Sequence, residues 1–277
     1  MVRKSTFSGS WYPNNPENLQ KLITESISEH KEHESNRFAL LPHAGLTYAA
    51  QGIAPFFAAS YPELEQVVLI SPSHYVRLSA DQMVSAPFTE LETPFGPIPS
   101  TPLDGADEQW LSAIEAEHAL EMVLPFIATL DPLPAVSLAL LSSVRTPVTL
   151  RTLADGLIDS LGEERIATGR VAIIASSDFT HYGSRFDYTP YGSDGLEKAK
   201  EVDLAFATLL SRGKIDAAFT YFQTHQPTIC GWAAALLVAE IARRFDATGQ
   251  VYSYYTSADI APASDGSFVA YATLLWS

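Results

Sequence analysis

Short apolar runs alternate with segments of helical spacing along nearly the whole chain. Apolar runs bounded by Pro, Gly or polar residues are typical of buried strands, whereas apolar residues three or four positions apart are typical of helices. The predicted strands are 38–41, 67–70, 81–86, 135–141, 171–175, 251–256 and 268–275. The predicted helices are 18–28, 51–59, 107–114, 119–130, 148–161, 196–211, 215–222 and 232–245, with Pro125 expected to kink or divide the helix at 119–130.

This alternation favours an α/β fold for the 277-residue chain. Strands that read as continuous apolar runs are usually buried on both faces. We therefore expect a central mixed, largely parallel sheet with helices on both faces. No repeat, low-complexity tract or Gly/Ser-rich linker interrupts the pattern. One domain that spans residues 1–277 is the expectation that follows.

Composition excludes several classes of protein. Hydrophobic residues make up 47% of the chain and charged residues 18%, which is globular composition rather than that of a disordered chain. Seventeen basic against 32 acidic residues leave a net charge of −15, so nucleic acids and anionic membranes are not expected partners. The chain has one cysteine, no signal-peptide pattern and no apolar run of ~20 residues. These features predict a soluble protein of the reducing cytoplasm.

Histidines follow three of the predicted strands at the point where each strand ends. Pro42-His43-Ala44-Gly45 follows the first strand, His74 follows the second, and Asp178 and His181 follow the strand at 171–175. Ligands of open α/β sheets bind outside the carboxyl ends of the strands, so these side chains are expected to share one site. A His or Asp in such a place also serves simply to cap the next helix, and that interpretation stays open.

The single cysteine, Cys230, directly precedes the predicted helix at 232–245. A helix N-terminus favours the thiolate, which is the form that binds metals. The alternative is that Cys230 is a small buried hydrophobic residue, the commoner role of a lone cysteine.

Several short segments together resemble the Memo family, whose bacterial and archaeal members are called AmmeMemoRadiSam system protein B. They occur in family order over nearly the whole chain. The segments are Gly9-Ser10-Trp11-Tyr12-Pro13, Pro42-His43-Ala44-Gly45, Pro72-Ser73-His74, Thr93-Pro94-Phe95-Gly96, Glu117-His118-Ala119-Leu120-Glu121, Ser176 to Gly183 with Arg185-Phe186, and Thr228-Ile229-Cys230-Gly231.

The resemblance implies a fold similar to the class III extradiol dioxygenases. It also implies a metal site whose ligands map onto His43, His74 and Cys230, with Asp178 and His181 beside it. Radical-SAM and AMMECR1-like proteins are the partners that it suggests. The chain departs from the family pattern after Gly45, where the common Tyr and Ser-Gly pair are absent, and at Val123, where a second histidine is common. These departures bear on substrate shape more than on metal binding.

Two imidazoles and one thiolate would leave open positions on Fe(II) or copper, with zinc also tolerated. We expect the protein to have a metal-linked redox role. We expect its pocket to bind a small molecule or a peptide. Ring cleavage is not expected, because Cys230 stands in place of a carboxylate ligand. In this hypothesis His181 is a general acid or base and Asp178 orients it or tunes its charge. His118 and Glu121, one helical turn apart, either line the pocket or form a solvated helix face. Trp11 and Tyr12 either cover the mouth of the pocket or pack in the core.

Other functions remain open at this point. A hydrolase could use Cys230 as nucleophile with His181 as base, or a zinc-activated water with the same metal ligands. A binding or adaptor protein could use the pocket for a peptide or protein partner. No Gly-x-Gly-x-x-Gly follows a strand, so a nucleotide-binding loop is not supported. His30 and His33 are expected to be solvated, and His225 to be structural or at the surface.

Overall fold

A computed structural model describes residues 1–31 and 33–277, with Glu32 outside the description. The strands are β1 (Val2–Arg3), β2 (Phe38–Leu41), β3 (Gln66–Ser71), β4 (Met83–Val84), β5 (Glu90–Leu91), β6 (Ile98–Pro99), β7 (Ala135–Leu141), β8 (Val171–Ser176), β9 (His181–Tyr182), β10 (Gly249–Thr256) and β11 (Phe268–Trp276). The helices are α1 (Pro16–Ser28), α2 (Leu46–Phe57), α3 (Leu111–Glu115), α4 (His118–Glu121), α5 (Leu124–Ile127), α6 (Pro147–Leu161), α7 (Glu163–Ala167), α8 (Gly195–Ser211), α9 (Ile215–His225), α10 (Trp232–Arg244) and α11 (Ser257–Ile260).

The main sheet is mixed and has the strand order β10-β11-β2-β8-β3-β7-β4, with β9 paired to β11. The four central strands of this sheet are β2, β8, β3 and β7, and they run parallel to one another. The strands outside them are antiparallel: β11 and β10 at one side, and β4 at the other. The predicted α/β class with a mixed sheet is confirmed, but the parallel part is limited to the centre.

Helices cover both faces of the sheet because alternate strand residues point to opposite sides. Ala39 and Leu41 of β2 join the core formed with α1 to α5. Phe38 and Leu40 join the core formed with α6 to α10. Both sets are buried, which explains why the central strands read as continuous apolar runs rather than as alternating ones.

Most predicted boundaries lie within a few residues of the observed ones, and the differences are local. Helix α2 begins at Leu46, five residues before the predicted start, because Gly45 already takes the N-cap position. The predicted helix over 119–130 is divided into α4 and α5, as expected from Pro125, which lies in the first turn of α5, where proline is tolerated. The three-stranded sheet β1-β5-β6 was not predicted, since its strands have two residues each.

Two features of this architecture place the candidate site. Strand β8 lies between β2 and β3, so the carboxyl ends of these three parallel strands are adjacent. Helix α10 begins close to the end of β8 because Gly231 has no side chain: a Cβ there would lie 2.6 Å from the Ser176 carbonyl oxygen. Among the described residues, no helix is both long and apolar enough to cross a bilayer.

Candidate metal centre

The segments that follow β2 and β3 bring His43 and His74 together, with ring centroids 5.2 Å apart. A third ring, that of His118 at the start of α4, lies 5.3 Å from His43 and 4.5 Å from His74. One ring nitrogen from each of the three residues lies within 4.8 Å of the others. The group could therefore hold a metal ion, and His118 belongs to it more directly than the pocket-lining role predicted from sequence.

His43 is buried and held in one orientation by two hydrogen bonds. Its backbone N–H donates to Asp178 Oδ1 at 2.8 Å, and its Nδ1 lies 2.9 Å from the Ser176 hydroxyl. That hydroxyl already donates to the Ala119 carbonyl oxygen at 2.6 Å, so it must accept from His43 Nδ1–H. The tautomer is thereby fixed, and the lone pair of His43 is on Nε2.

The Glu117 carboxylate fixes the other two rings of the cluster. Its Oε1 accepts from His74 Nδ1 at 2.8 Å and lies 3.2 Å from His118 Nδ1, while its Oε2 accepts the His74 backbone N–H at 2.7 Å. The hydroxyl of Tyr75 is 3.1 Å from the same His118 nitrogen. With both Nδ1 atoms facing oxygen, the ring nitrogens left to bind a metal are again the Nε2 atoms.

The charges of these groups suit a cation. Burial, followed by the neighbouring His118, His74 and His181 rings, lowers the pKa of His43 well below its usual value, so the ring is neutral. Burial raises the pKa of Glu117, but hydrogen bonds from His118 and His74 outweigh it and bring that pKa to about 2. Neutral imidazoles oriented by a carboxylate are the usual donor arrangement of metal sites.

Cys230 lies next to the cluster, with Sγ 3.2 Å from His43 Nε2. Two donors on one tetrahedral ion with bonds of ~2.0–2.3 Å lie about 3.3–3.8 Å apart, so the two atoms are slightly closer than a shared metal would hold them and would have to separate a little to bind one. Burial and the Asp178 carboxylate raise the pKa of the Cys230 thiol, the opposite of the direction expected from its place before a helix. Without a cation, the thiol stays protonated and donates to His43.

Asp178 and His181 lie beside the cluster, but not as a hydrogen-bonded pair. His181 Nδ1 donates to the Thr228 carbonyl oxygen at 3.0 Å, and its backbone N–H donates to the Thr228 hydroxyl. Asp178 instead accepts from the backbone N–H of His43, so of the two predicted roles the structure gives no hydrogen bond for the orienting one, and tuning of the His181 charge stays a prediction. Burial raises the pKa of Asp178, and the charge of His181 is the strongest influence in the other direction. The catalytic role of both residues stays a prediction.

Glu121 does not line the site and is not solvated, so both expectations for it are wrong. It is buried and pairs with Arg3 at 2.7 Å, and it also accepts from the Tyr12 hydroxyl and the Phe7 backbone N–H. Tyr12 is accordingly a core residue. Trp11 does face the cluster, with its ring centroid 4.6 Å from that of His118.

The remaining histidines lie away from the cluster. His33 Nε2 is 2.7 Å from the Pro55 carbonyl oxygen, and the His30 ring packs against Tyr252. The prediction that His30 and His33 are solvated is wrong, because both pack against the body of the protein. His225 is exposed at the end of α9, as predicted.

Sequence reasoning assigned no role to three residues that orient the rings: Glu117, Ser176 and Thr228. A signal for Glu117 was present, because a carboxylate directly before a histidine at the start of a helix is a natural partner for imidazole N–H groups. No comparable signal marked Ser176 or Thr228, whose roles depend on contacts between distant segments.

Comparison with known proteins gives a consistent result. A family model described as "Memo-like protein" matches residues 3–275. A protein of Saccharomyces cerevisiae named "MEMO1 family protein MHO1" is 30% identical over 74% of this chain and 69% of its own length. "Protein memo-1 homolog" of Caenorhabditis elegans is 25% identical over 98% of this chain and 81% of its own. A "MEMO1 family protein" of Thermococcus onnurineus is 25% identical over 100% and 99%, respectively.

Proposed function

The chain belongs to the Memo-like family, and on that premise we propose that it is a metal-binding protein that holds iron or copper for a redox reaction. In this proposal His43, His74 and Cys230 bind the ion, and His118 supplies a fourth donor. The observation that carries the proposal is the convergence of three imidazole nitrogens within 4.8 Å of one another. Bound iron or copper would supply one-electron chemistry that no side chain provides.

The protein's own groups have distinct tasks in this proposal. Glu117 and Ser176 hold the rings with Nε2 directed away from their hydrogen-bond partners. Cys230 loses its proton when the cation arrives, because a thiolate is the form that ligates metals. A thiolate beside imidazoles favours a softer, redox-active ion over Mg²⁺ or Ca²⁺. The Nδ1 of His181 is engaged by the Thr228 carbonyl oxygen, which leaves Nε2 as the ring nitrogen that could exchange a proton with a molecule in the pocket.

Metal analysis of anaerobically purified protein tests the proposal. We expect iron or copper near one equivalent in the wild type and a loss of more than tenfold in His74→Ala, a part-exposed ligand whose removal should leave the fold intact. His225→Ala is the matched control, because that ring is exposed and distant, and it should keep full occupancy. A protein that holds no metal and takes up none under reducing conditions would refute the proposal.

A second candidate function is thiol-dependent hydrolysis, favoured by the contact between Cys230 Sγ and His43 Nε2. The base in that case would be His43 rather than His181. The raised thiol pKa opposes it, because an activated cysteine nucleophile needs a lowered one. Alkylation by iodoacetamide separates the two: slow reaction near neutral pH in the metal-free protein supports the metal site, and rapid reaction supports the hydrolase.

A further inference from the structure

A cleft of about 310 Å³ lies outside the carboxyl ends of β3 and β7 and shares Cys230 with the candidate metal centre. Its walls come from the segment after β3, from the end of β7 and from the first residues of α10. This is the place where open α/β sheets bind ligands. The volume lies at the small end of the ~300–1,000 Å³ range of small-molecule pockets.

Arg77 supplies the positive charge of the cleft. Within residues 1–31 and 33–277, eight of the eleven arginines in this acidic chain form ion pairs. Of those without an acidic partner in the described part of the chain, Arg37 donates to backbone carbonyls, whereas Arg77 and Arg212 have no side-chain hydrogen bond there. The protein has a net charge of −15, and the Arg77 guanidinium in this cleft has no partner in the described part of the chain. Such a guanidinium can bind an anion.

The other cleft residues restrict the kind of anion. Ser143 offers a hydroxyl group, whereas the Ser142 hydroxyl already accepts from the Gln82 backbone N–H and donates to the Ser143 carbonyl oxygen. Leu78, Leu141 and Trp232 offer apolar surface. A guanidinium matches the planar fork of a carboxylate and neutralises one negative charge. A phosphate dianion would keep an excess charge beside a strongly acidic surface, so a monoanion is favoured.

The same segment that carries Arg77 also supplies His74, three residues earlier, to the metal cluster. Cys230 lines the cleft on one side and contacts His43 on the other. A molecule in the cleft therefore lies next to the candidate metal centre. We propose that the cleft binds a small aliphatic carboxylate through Arg77 and that this carboxylate is the substrate class of the metal site, an inference that rests on the proposed function.

Ligand-observed NMR on the full chain, in zinc-loaded and metal-free forms, tests this binding. The probes are acetate, lactate and hexanoate, the amide of each acid, and inorganic phosphate. We expect at least one carboxylate to bind with a millimolar or tighter Kd, its amide to bind at least tenfold more weakly, and phosphate to bind more weakly than the best acid.

Two substitutions assign the binding to Arg77. Arg77→Ala should weaken the best carboxylate at least tenfold, and Arg77→Lys should restore part of the loss. Arg212→Ala is the matched control, an exposed arginine that lines a surface with Trp276, near the amino end of β2, and it should change nothing. Arg77 is exposed, so both variants should fold, which circular dichroism verifies.

Three results would overturn the inference: no carboxylate binding, amides that bind as well as acids, or affinity unchanged in Arg77→Ala. Tighter binding of phosphate would overturn the substrate class. Metal content measured on the same samples separates the two proposals. If the protein holds its metal but carboxylate binding does not depend on Arg77, only the inference about the cleft is refuted. If the wild type binds no metal, the proposed function is refuted.

Discussion

Two buried carboxylates, one helical turn apart, have opposite tasks in this protein. Glu117 and Glu121 are each 1% exposed and flank the same turn of α4. Glu121 forms an ion pair with Arg3, which is always charged, and accepts a hydrogen bond from the Phe7 backbone N–H. These contacts hold the N-terminal segment against the core. Glu117 meets only imidazole rings and backbone N–H groups and fixes the tautomers of His74 and His118. The comparison shows that the partner, rather than burial or position, decides whether a carboxylate serves the fold or the site.

The largest effect should come from Glu121→Ala, which leaves the Arg3 guanidinium buried without its acid. Breaking a buried pair in this way costs about 3–5 kcal/mol of unfolding free energy. Urea denaturation measures the loss. Glu65→Ala removes a partly exposed acid that pairs with Arg165 and Arg170, and should cost under about 1 kcal/mol. Equal losses in the two variants would contradict the structural role of Glu121.

Glu117→Gln should instead lower metal affinity by about 10–100-fold, because a lost outer partner leaves ring orientation and basicity unsupported. Its unfolding free energy should fall less than that of Glu121→Ala. Competition with a chelator measures the affinity, and Glu115→Gln, two residues away, is the control without a contact to either ring. An unchanged metal affinity in Glu117→Gln would mean that this carboxylate belongs to the fold as well.

A third buried carboxylate, Asp203, has only neutral donors: the Thr180 and Tyr254 hydroxyls and the Thr180 N–H. Burial raises its pKa to about 7. Between the ordinary aspartate pKa of ~3.9 and about 7, the folded state binds more protons than the unfolded state, so stability falls as pH rises through this window. Relative to Asp203→Asn, the wild type should lose about 1–3 kcal/mol between pH 5 and 7. Parallel pH–stability curves for the two proteins would contradict this assignment.

Features that arise from local sequence patterns could be predicted from the sequence, whereas features that depend on distant partners could not. The continuous apolar strands and the histidines after β2, β3 and β8 predicted the sheet and the meeting of His43 with His74, because parallel strand ends are neighbours. The antiparallel edges follow from how β11 returns beside β2, a choice without a local signal. The different roles of Glu117 and Glu121 depend on partners such as Arg3, which is more than a hundred residues away from Glu121. The hydrophobic periodicity of α4 therefore could not predict which carboxylate serves the fold and which serves the site.

X-ray absorption at the metal edge of iron- or copper-loaded protein tests the central claim most directly, since it counts the nitrogen and sulfur neighbours of the ion. The account predicts imidazole nitrogens near ~2.0–2.1 Å and one sulfur near ~2.3 Å, with the sulfur lost in Cys230→Ser. His118→Ala should remove one imidazole. A shell of oxygen atoms alone, unchanged by either substitution, would contradict it.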